Sequence, residues 1–157
     1  MENYYLARLT ADDYEGFNSA YYKLVYSIYD KKLEQYEIEE KLMVMAWKNG
    51  IRSKNDYIKD IENPSREMYF FKTGSKTIGF VELAYHKGKC DIVEFFVFER
   101  YQGYGSIMWK QTLKKIEERN PSRIELYSPY EGSQIFWRKM GFSPFYMGDI
   151  KCYRKLL

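Results

Sequence analysis

Residues 91–106 gather the residue types from which a binding site for an anionic group can be built. Asp91-Ile92-Val93-Glu94-Phe95-Phe96-Val97-Phe98 is a strongly apolar run that reads as a strand. Glu99-Arg100-Tyr101-Gln102-Gly103-Tyr104-Gly105-Ser106 follows it and leads straight into a helical pattern. Gly103 and Gly105 let the backbone turn without Cβ clashes and approach a ligand closely. The N–H groups that open a helix have no partner inside it, and together with the helix dipole they attract an anion. Arg100 can add a charge-assisted bond to phosphate. No lysine follows the second glycine, so the turn is not a P-loop, and no third glycine or later acid completes a dinucleotide fingerprint. Two glycines alone also fit a turn that needs them only for geometry.

The rest of the composition removes other chemistries. The single histidine, His86, excludes any mechanism or metal site that needs two, and its place before a Lys-Gly-Lys turn suits a surface residue. Cys90 and Cys152 lie far apart in no metal-ligand spacing and read as reduced, buried thiols of a cytoplasmic protein. No apolar run reaches the roughly 18 residues of a membrane-crossing helix, and Met1-Glu2-Asn3-Tyr4 lacks the basic and apolar stretches of a secretory signal. The net charge of +3 is unevenly spread: 14 Lys and Arg stand against 16 Asp and Glu over residues 1–98, but 11 against 6 over residues 99–157. An anionic partner would dock on that last third, and a solvated basic face is the plainer account. No groove-reading helix motif accompanies it, so nucleic acid is not an expected partner.

The elements that must position this turn can be traced along the chain. With 157 residues and an aromatic content of 19%, the expectation is one folded domain, 1–157, with a helical region over 11–62 and a sheet with its helices over 67–157. Tyr4–Leu9 reads as a strand. Thr10 and Asp13 make a capping box for a helix that Tyr14, Phe17, Tyr21, Leu24, Val25 and Ile28 carry to about Asp30. A second helix is expected from about Leu33 to Lys48, and a third opens at Ser53 with Asp56 and ends before Pro64. Met68–Lys72, Thr77–Tyr85 and Asp91–Phe98 form an antiparallel meander through short turns. Ile107–Arg119 is a helix with Met108, Trp109, Leu113 and Ile116 inward. Ile124–Tyr127 follows as a strand, Glu131–Met140 as a helix, and Phe145–Tyr146 with Ile150–Leu156 as a closing hairpin. The strands flanking Ile107–Arg119 should be parallel neighbours, because a helix joins them.

Arg100-Tyr101-Gln102-Gly103-Tyr104-Gly105 resembles the acetyl-CoA motif of the GNAT superfamily of N-acetyltransferases, Gln/Arg-x-x-Gly-x-Gly/Ala. Ser133-Gln134-Ile135-Phe136-Trp137-Arg138-Lys139-Met140-Gly141-Phe142 is similar to the superfamily's Ala-x-x-Phe-Tyr-x-Lys-x-Gly-Phe helix. The likeness covers residues 77–157 by motif and 11–62 by element order alone. A second register, in which Gln102 comes first, leaves bulky Ile107 at the last small position. The resemblance implies an α/β (α+β) fold. Its core is a mixed, mostly antiparallel sheet of six to seven strands, with four to five helices on its faces and a splay between strands 4 and 5.

It also implies an acyl transfer from acetyl-CoA to an amine, with no metal and no membrane partner; homodimers are common in the superfamily. The pantetheine arm would pair with the fourth strand near Phe96, Val97 and Phe98. An N–H there would polarise the thioester carbonyl. The pyrophosphate would lie on Arg100, Tyr101, Gln102, Gly103, Tyr104, Gly105 and Ser106. Phe136 and Lys139 of the later motif would complete the cofactor site, with Arg138 and Lys110 as further cations for the 3′-phosphate. Direct attack needs a neutral amine and therefore a proton acceptor. Glu94 is the first candidate, and Glu82 a weaker one. Strand alternation places Glu94 with Ile92, Phe96 and Phe98, opposite Val93, Phe95 and Val97, where apolar surroundings would raise its proton affinity. An exposed strand glutamate is the plain alternative. The superfamily often protonates the leaving thiolate from a tyrosine, but Trp137 holds that position here. Tyr130 is the replacement acid, with Tyr127 and Tyr146 as competitors. The departure at Trp137 leaves a second function open, a catalytically weak acyl-CoA-binding or regulatory module of the same fold.

Overall fold

The computed structural model describes residues 3–19, 52–98, 103–128 and 131–157. The chain forms two compact units, Met1–Ala7 with Ser65–Leu157, and Arg8–Pro64.

In the smaller unit, local hydrogen bonds start the helices where the sequence places them. The Thr10 N–H and hydroxyl both donate to Asp13 Oδ2, at 2.8 and 3.1 Å, ahead of a 3-10 turn over Ala11–Asp13. Residues 14–19 continue as helix. The Ser53 hydroxyl accepts from the Asp56 N–H at 3.2 Å and opens α1 (Lys54–Glu62), which stops at Asn63 before Pro64. Tyr57 is fully buried, with its ring 4.9 Å from Phe17 and its hydroxyl donating to the Thr10 carbonyl at 2.6 Å. The later part of the first expected helix and the whole of the second lie outside the described residues.

The larger unit is built on a seven-stranded sheet. Its strands are β1 (Tyr4–Arg8), β2 (Arg66–Thr73), β3 (Lys76–His86), β4 (Lys89–Val97), β5 (Arg123–Tyr127), β6 (Ser143–Met147) and β7 (Ile150–Leu156), in the order β1-β2-β3-β4-β5-β7-β6. The central residues of β2 and β3 are buried without alternation, the glutamates Glu67 and Glu82 among them. Lys87 (φ +50°) and Gly88 (φ +74°) make a two-residue turn between the paired His86 and Lys89. Positive φ at both centres lets the turn follow the right-handed twist of its strands. β4 and β5 are parallel and joined through α2 (Tyr104–Glu118), as expected for strands separated by a helix. α3 (Glu131–Lys139) precedes β6. This architecture is the mixed sheet with helices on its faces that the resemblance implied.

One face of the sheet holds the main core. Tyr69, Val81, Leu83, Ile92, Ile124 and Tyr153 from the strands meet Trp109 and Ile116 of α2 and Trp137 of α3. Gly79 is buried because α2 comes so close: an added Cβ would lie 2.8 Å from Met108 Sδ and 2.9 Å from the Phe96 carbonyl oxygen.

Candidate functional site

The parallel ladder between β4 and β5 has three residue pairs, Lys89↔Arg123, Cys90↔Ile124 and Asp91↔Glu125. Beyond Asp91 the two strands share no register, while β4 stays paired with β3 as far as Gly79↔Val97. β5 meanwhile pairs with β7 up to Tyr127↔Cys152. The sheet therefore parts along Ile92–Val97, about 20 Å of strand at roughly 3.3 Å per residue. This is the expected splay, and a cluster of charges closes its lower end. Lys89 Nζ lies 2.7 Å from Glu125 and 3.2 Å from Asp91, and Arg123 Nε and Arg154 Nε lie 2.7 and 3.6 Å from the other Glu125 oxygen. Burial alone would push the Glu125 carboxyl up; hydrogen bonds from Lys89 and Arg123 outweigh it and hold the group below its usual value. Burial likewise opposes the charge on Lys89, but its bonds to Glu125 and Asp91 raise it.

At the open end, α2 begins on Gly103, which has φ +77°. A side chain there would be strained, although an added Cβ would meet nothing within 4 Å. Gly103 has no side chain to cap the helix, and the first turn carries no acid, so the helix's own first turn does not offset the positive end of its dipole. Ser106 is exposed and Tyr104 half-buried, with the Tyr104 ring 6.0 Å from Tyr4. Gly105 serves a neighbour within the protein: a Cβ there would sit 3.3 Å from the Phe136 ring. Phe136 in turn stacks on Phe95 of β4 at 5.9 Å. Phe136 thus joins α3 to both the start of α2 and the parted strand. Lys139 is exposed in the last turn of α3, Lys110 is exposed on α2, and the Arg138 guanidinium lies 5.9 Å from the Tyr153 ring.

Glu94 is half-buried on β4. Its expected face needs one correction. The register slips between Glu82↔Glu94 and Leu83↔Ile92, so Val93 is the extra residue of a bulge. Ile92 consequently joins the helix-side core with Leu83, while Glu94 stands on the other face, opposite Glu82 and beside the Phe80–Phe96 ring pair. Phe96 and Phe98 do share that face, their rings 5.5 Å apart, and Val97 packs toward Met108. Arg66 Nη1 lies 3.4 Å from Glu82 Oε2, a contact that strand patterning did not indicate. Arg100, Tyr101, Gln102 and Tyr130 lie outside the described residues.

Trp137 is buried, with rings of Phe95, Trp109, Phe136 and Phe142 about it at 4.9–5.4 Å. It is a core residue with no hydroxyl to offer. Tyr127 and Tyr146 are exposed, and His86 is exposed beside Asp91. Cys90 is fully buried, and that burial pushes its thiol up to about 12, which rules it out as a neutral-pH nucleophile. A surface depression of about 360 Å³ lined by Tyr85, Lys89, Arg119 and Pro121 sits at the far end of α2, a 15-residue helix about 22 Å long. Among the described residues no group of three His, Cys, Asp or Glu could hold a metal ion, and no helix is long and apolar enough to cross a membrane.

Comparison with known proteins agrees with this geometry. No curated protein matches the chain by sequence. Among solved structures, PaiA N-acetyltransferase from Thermoplasma acidophilum in complex with coenzyme A superposes with a TM-score of 0.74 at 17% identity, covering 99% of each chain. An acetyltransferase from Thermus thermophilus gives 0.64 at 15% identity over 100% of both chains. The ribosomal-protein-S18-alanine N-acetyltransferase from Escherichia coli gives 0.63 at 9% identity, covering 97% of this chain and 91% of that one. These likenesses show the fold. The family model described as Acetyltransferase (GNAT) family matches residues 20–142, from beyond β1 to the residue before β6, and the chain therefore belongs to the GNAT family of acetyltransferases.

Proposed function

We propose that the protein moves an acetyl group from acetyl-CoA directly to a primary amine within one ternary complex. The observation that carries this reading is the end of the β4–β5 ladder at Asp91↔Glu125, with a helix opening on Gly103 after the parted strand. The residues at hand fit the cosubstrate: an open strand edge for an extended arm, and an uncapped helix start for a diphosphate. Gly103, Tyr104, Gly105 and Ser106 offer their amides to the diphosphate, joined by Arg100, Tyr101 and Gln102 from the same motif. β4 takes the arm along Phe96, Val97 and Phe98, and Phe136 walls the gap. Lys139 is the nearest sequence candidate for the remaining phosphate.

Acetyl-CoA supplies an acyl group activated as a thioester. Glu94 accepts the proton that the ammonium must lose, directly or through water. A backbone N–H near Phe96 or Val97 steadies the carbonyl oxygen while the amine nitrogen bonds to that carbon and the carbon–sulfur bond breaks. Tyr130 returns a proton to the departing sulfur. The catalytically weak acyl-CoA-binding module remains the second reading, and the burial of Trp137 among core rings favours it.

The test is thiol release from acetyl-CoA across a broad amine panel, run beside a binding measurement. Turnover with at least one amine is expected. Binding with no turnover across the panel turns the conclusion to the second reading, and absence of binding overturns both.

A further inference from the structure

The β3–β4 ladder sets two carboxylates side by side. Glu82 and Glu94 are register partners, and directly opposed residues of an antiparallel pair carry Cβ atoms about 4.5–5.5 Å apart on one face. Like charges in that position destabilise a sheet. Glu82 is fully buried, whereas Glu94 is half-buried. Apolar rings flank the pair, because Phe80 and Phe96 are the next register partners on the same face, 5.4 Å apart.

Other charged groups of this part of the sheet make contacts among the described residues. Arg66 of β2 is paired with Ala84, two residues from Glu82, and its Nη1 reaches Glu82 Oε2 at 3.4 Å. His86 and Lys89 meet Asp91 at the closed end of the ladder, where Lys89 also holds Glu125 together with Arg123. Glu67 faces the other way, bonded to Tyr69 and Arg119. Arg66 is thus a cation fixed at the buried member of the pair.

We propose that Glu82 is a positioning residue for Glu94: the two carboxyls titrate as one coupled unit, Arg66 keeps the charge on Glu82, and the unit's proton is taken up by Glu94. Two carboxylates this close cannot both ionise as readily as either alone, and their protons leave in two steps that belong to the pair. A guanidinium beside one member favours its charged form. The partly exposed member then becomes a stronger proton acceptor than an isolated strand glutamate, which is what removal of a proton from an ammonium requires. This role rests on the reading of Glu94 as the base.

Direct titration tests it without an acceptor. The full chain is labelled with 13Cδ-glutamate, and the Glu82 and Glu94 signals are assigned by their loss in Glu82→Gln and Glu94→Gln. In Glu82→Gln the Glu94 midpoint should fall by about one pH unit, since its like-charged neighbour is gone. In Arg66→Met the Glu94 midpoint should fall too and the Glu82 midpoint rise, since without that cation the buried Glu82 keeps the unit's proton. A Glu94 midpoint unmoved in both variants, or raised by either, overturns the proposal. Should Glu82→Gln fail to fold, Arg66→Met decides alone, because the Arg66 side chain is 32% exposed; an unmoved midpoint there is also a refutation. Coupled titration with an unchanged transfer rate in Glu94→Gln would sink the base assignment and leave the pair standing. Rate loss in Glu94→Gln with uncoupled titration would do the reverse.

Discussion

Glu94 stands between apolar rings and a second carboxylate, a placement suited to a group that changes charge during turnover. Substituting it should separate chemistry from binding. Glu94→Gln is expected to lower kcat by about 10²–10⁴-fold with coenzyme A affinity unchanged, as steady-state rates and calorimetry would measure. An unchanged kcat would remove Glu94 as the base. Tyr130→Phe asks the companion question, and a wild-type rate there would mean that the sulfur departs unassisted. The carboxylate in an apolar strand was legible from residue types alone. Its face was not, because the bulge at Val93 shifts the alternation by one without altering any residue's character. Gly105 misled in a similar way. Its lack of a side chain reads as room for a ligand, but the partner it makes room for is Phe136, remote in sequence and brought there by α3.

Elements were more legible than side-chain environments. Capping residues, turn glycines and apolar period act over a few neighbours, so α1, α2, α3, the β2–β3–β4 meander and the β6–β7 hairpin follow from local chemistry. The start of α2 at Tyr104 instead of Ile107 reflects the left-handed Gly103, whose conformation lets the helix begin one turn earlier. That position gives a paired prediction. Gly103→Ala adds backbone strain of about 1–2 kcal/mol, while Gly103→Glu adds a negative group at the helix start as well. Coenzyme A affinity should therefore fall at least tenfold further in Gly103→Glu than in Gly103→Ala, about 1.4 kcal/mol; equal losses in a titration would deny the anion site. Gly79→Ala tests how closely α2 packs on the sheet. Its Cβ would press on Met108 and the Phe96 carbonyl, so a loss of about 1–3 kcal/mol is expected, read as a lower melting temperature.

At the scale of the molecule, the Lys89–Glu125–Arg123–Arg154 cluster joins β4, β5 and β7 below the parted strands. Its contribution depends on pH at both ends. Glu125 is held below the ordinary glutamate value, so its stabilisation is complete above about pH 4.3 and disappears as pH falls through its lower native value. Lys89 is raised, so its share is complete below about pH 10.4 and is lost as pH rises through its higher native value. Glu125→Gln should therefore lower the melting temperature most between these limits, and the gap from wild type should close in acid. A gap that persists at pH 2 would mean that the cluster acts through packing alone. The sequence showed that the basic excess lies in the last third. It could not show that two of those cations are spent on Glu125, since the pairing exists only once three strands are aligned.

Sealed thiols have a practical consequence for this protein. The sequence contains two cysteines, and both are buried, Cys90 entirely and Cys152 at 6% exposure. An aromatic disulfide dye added to the native protein should count almost no sulfhydryl, and the same dye in denaturant should count two. Colour that develops during turnover would then belong to the product, and colour without substrate would time the opening of the fold itself.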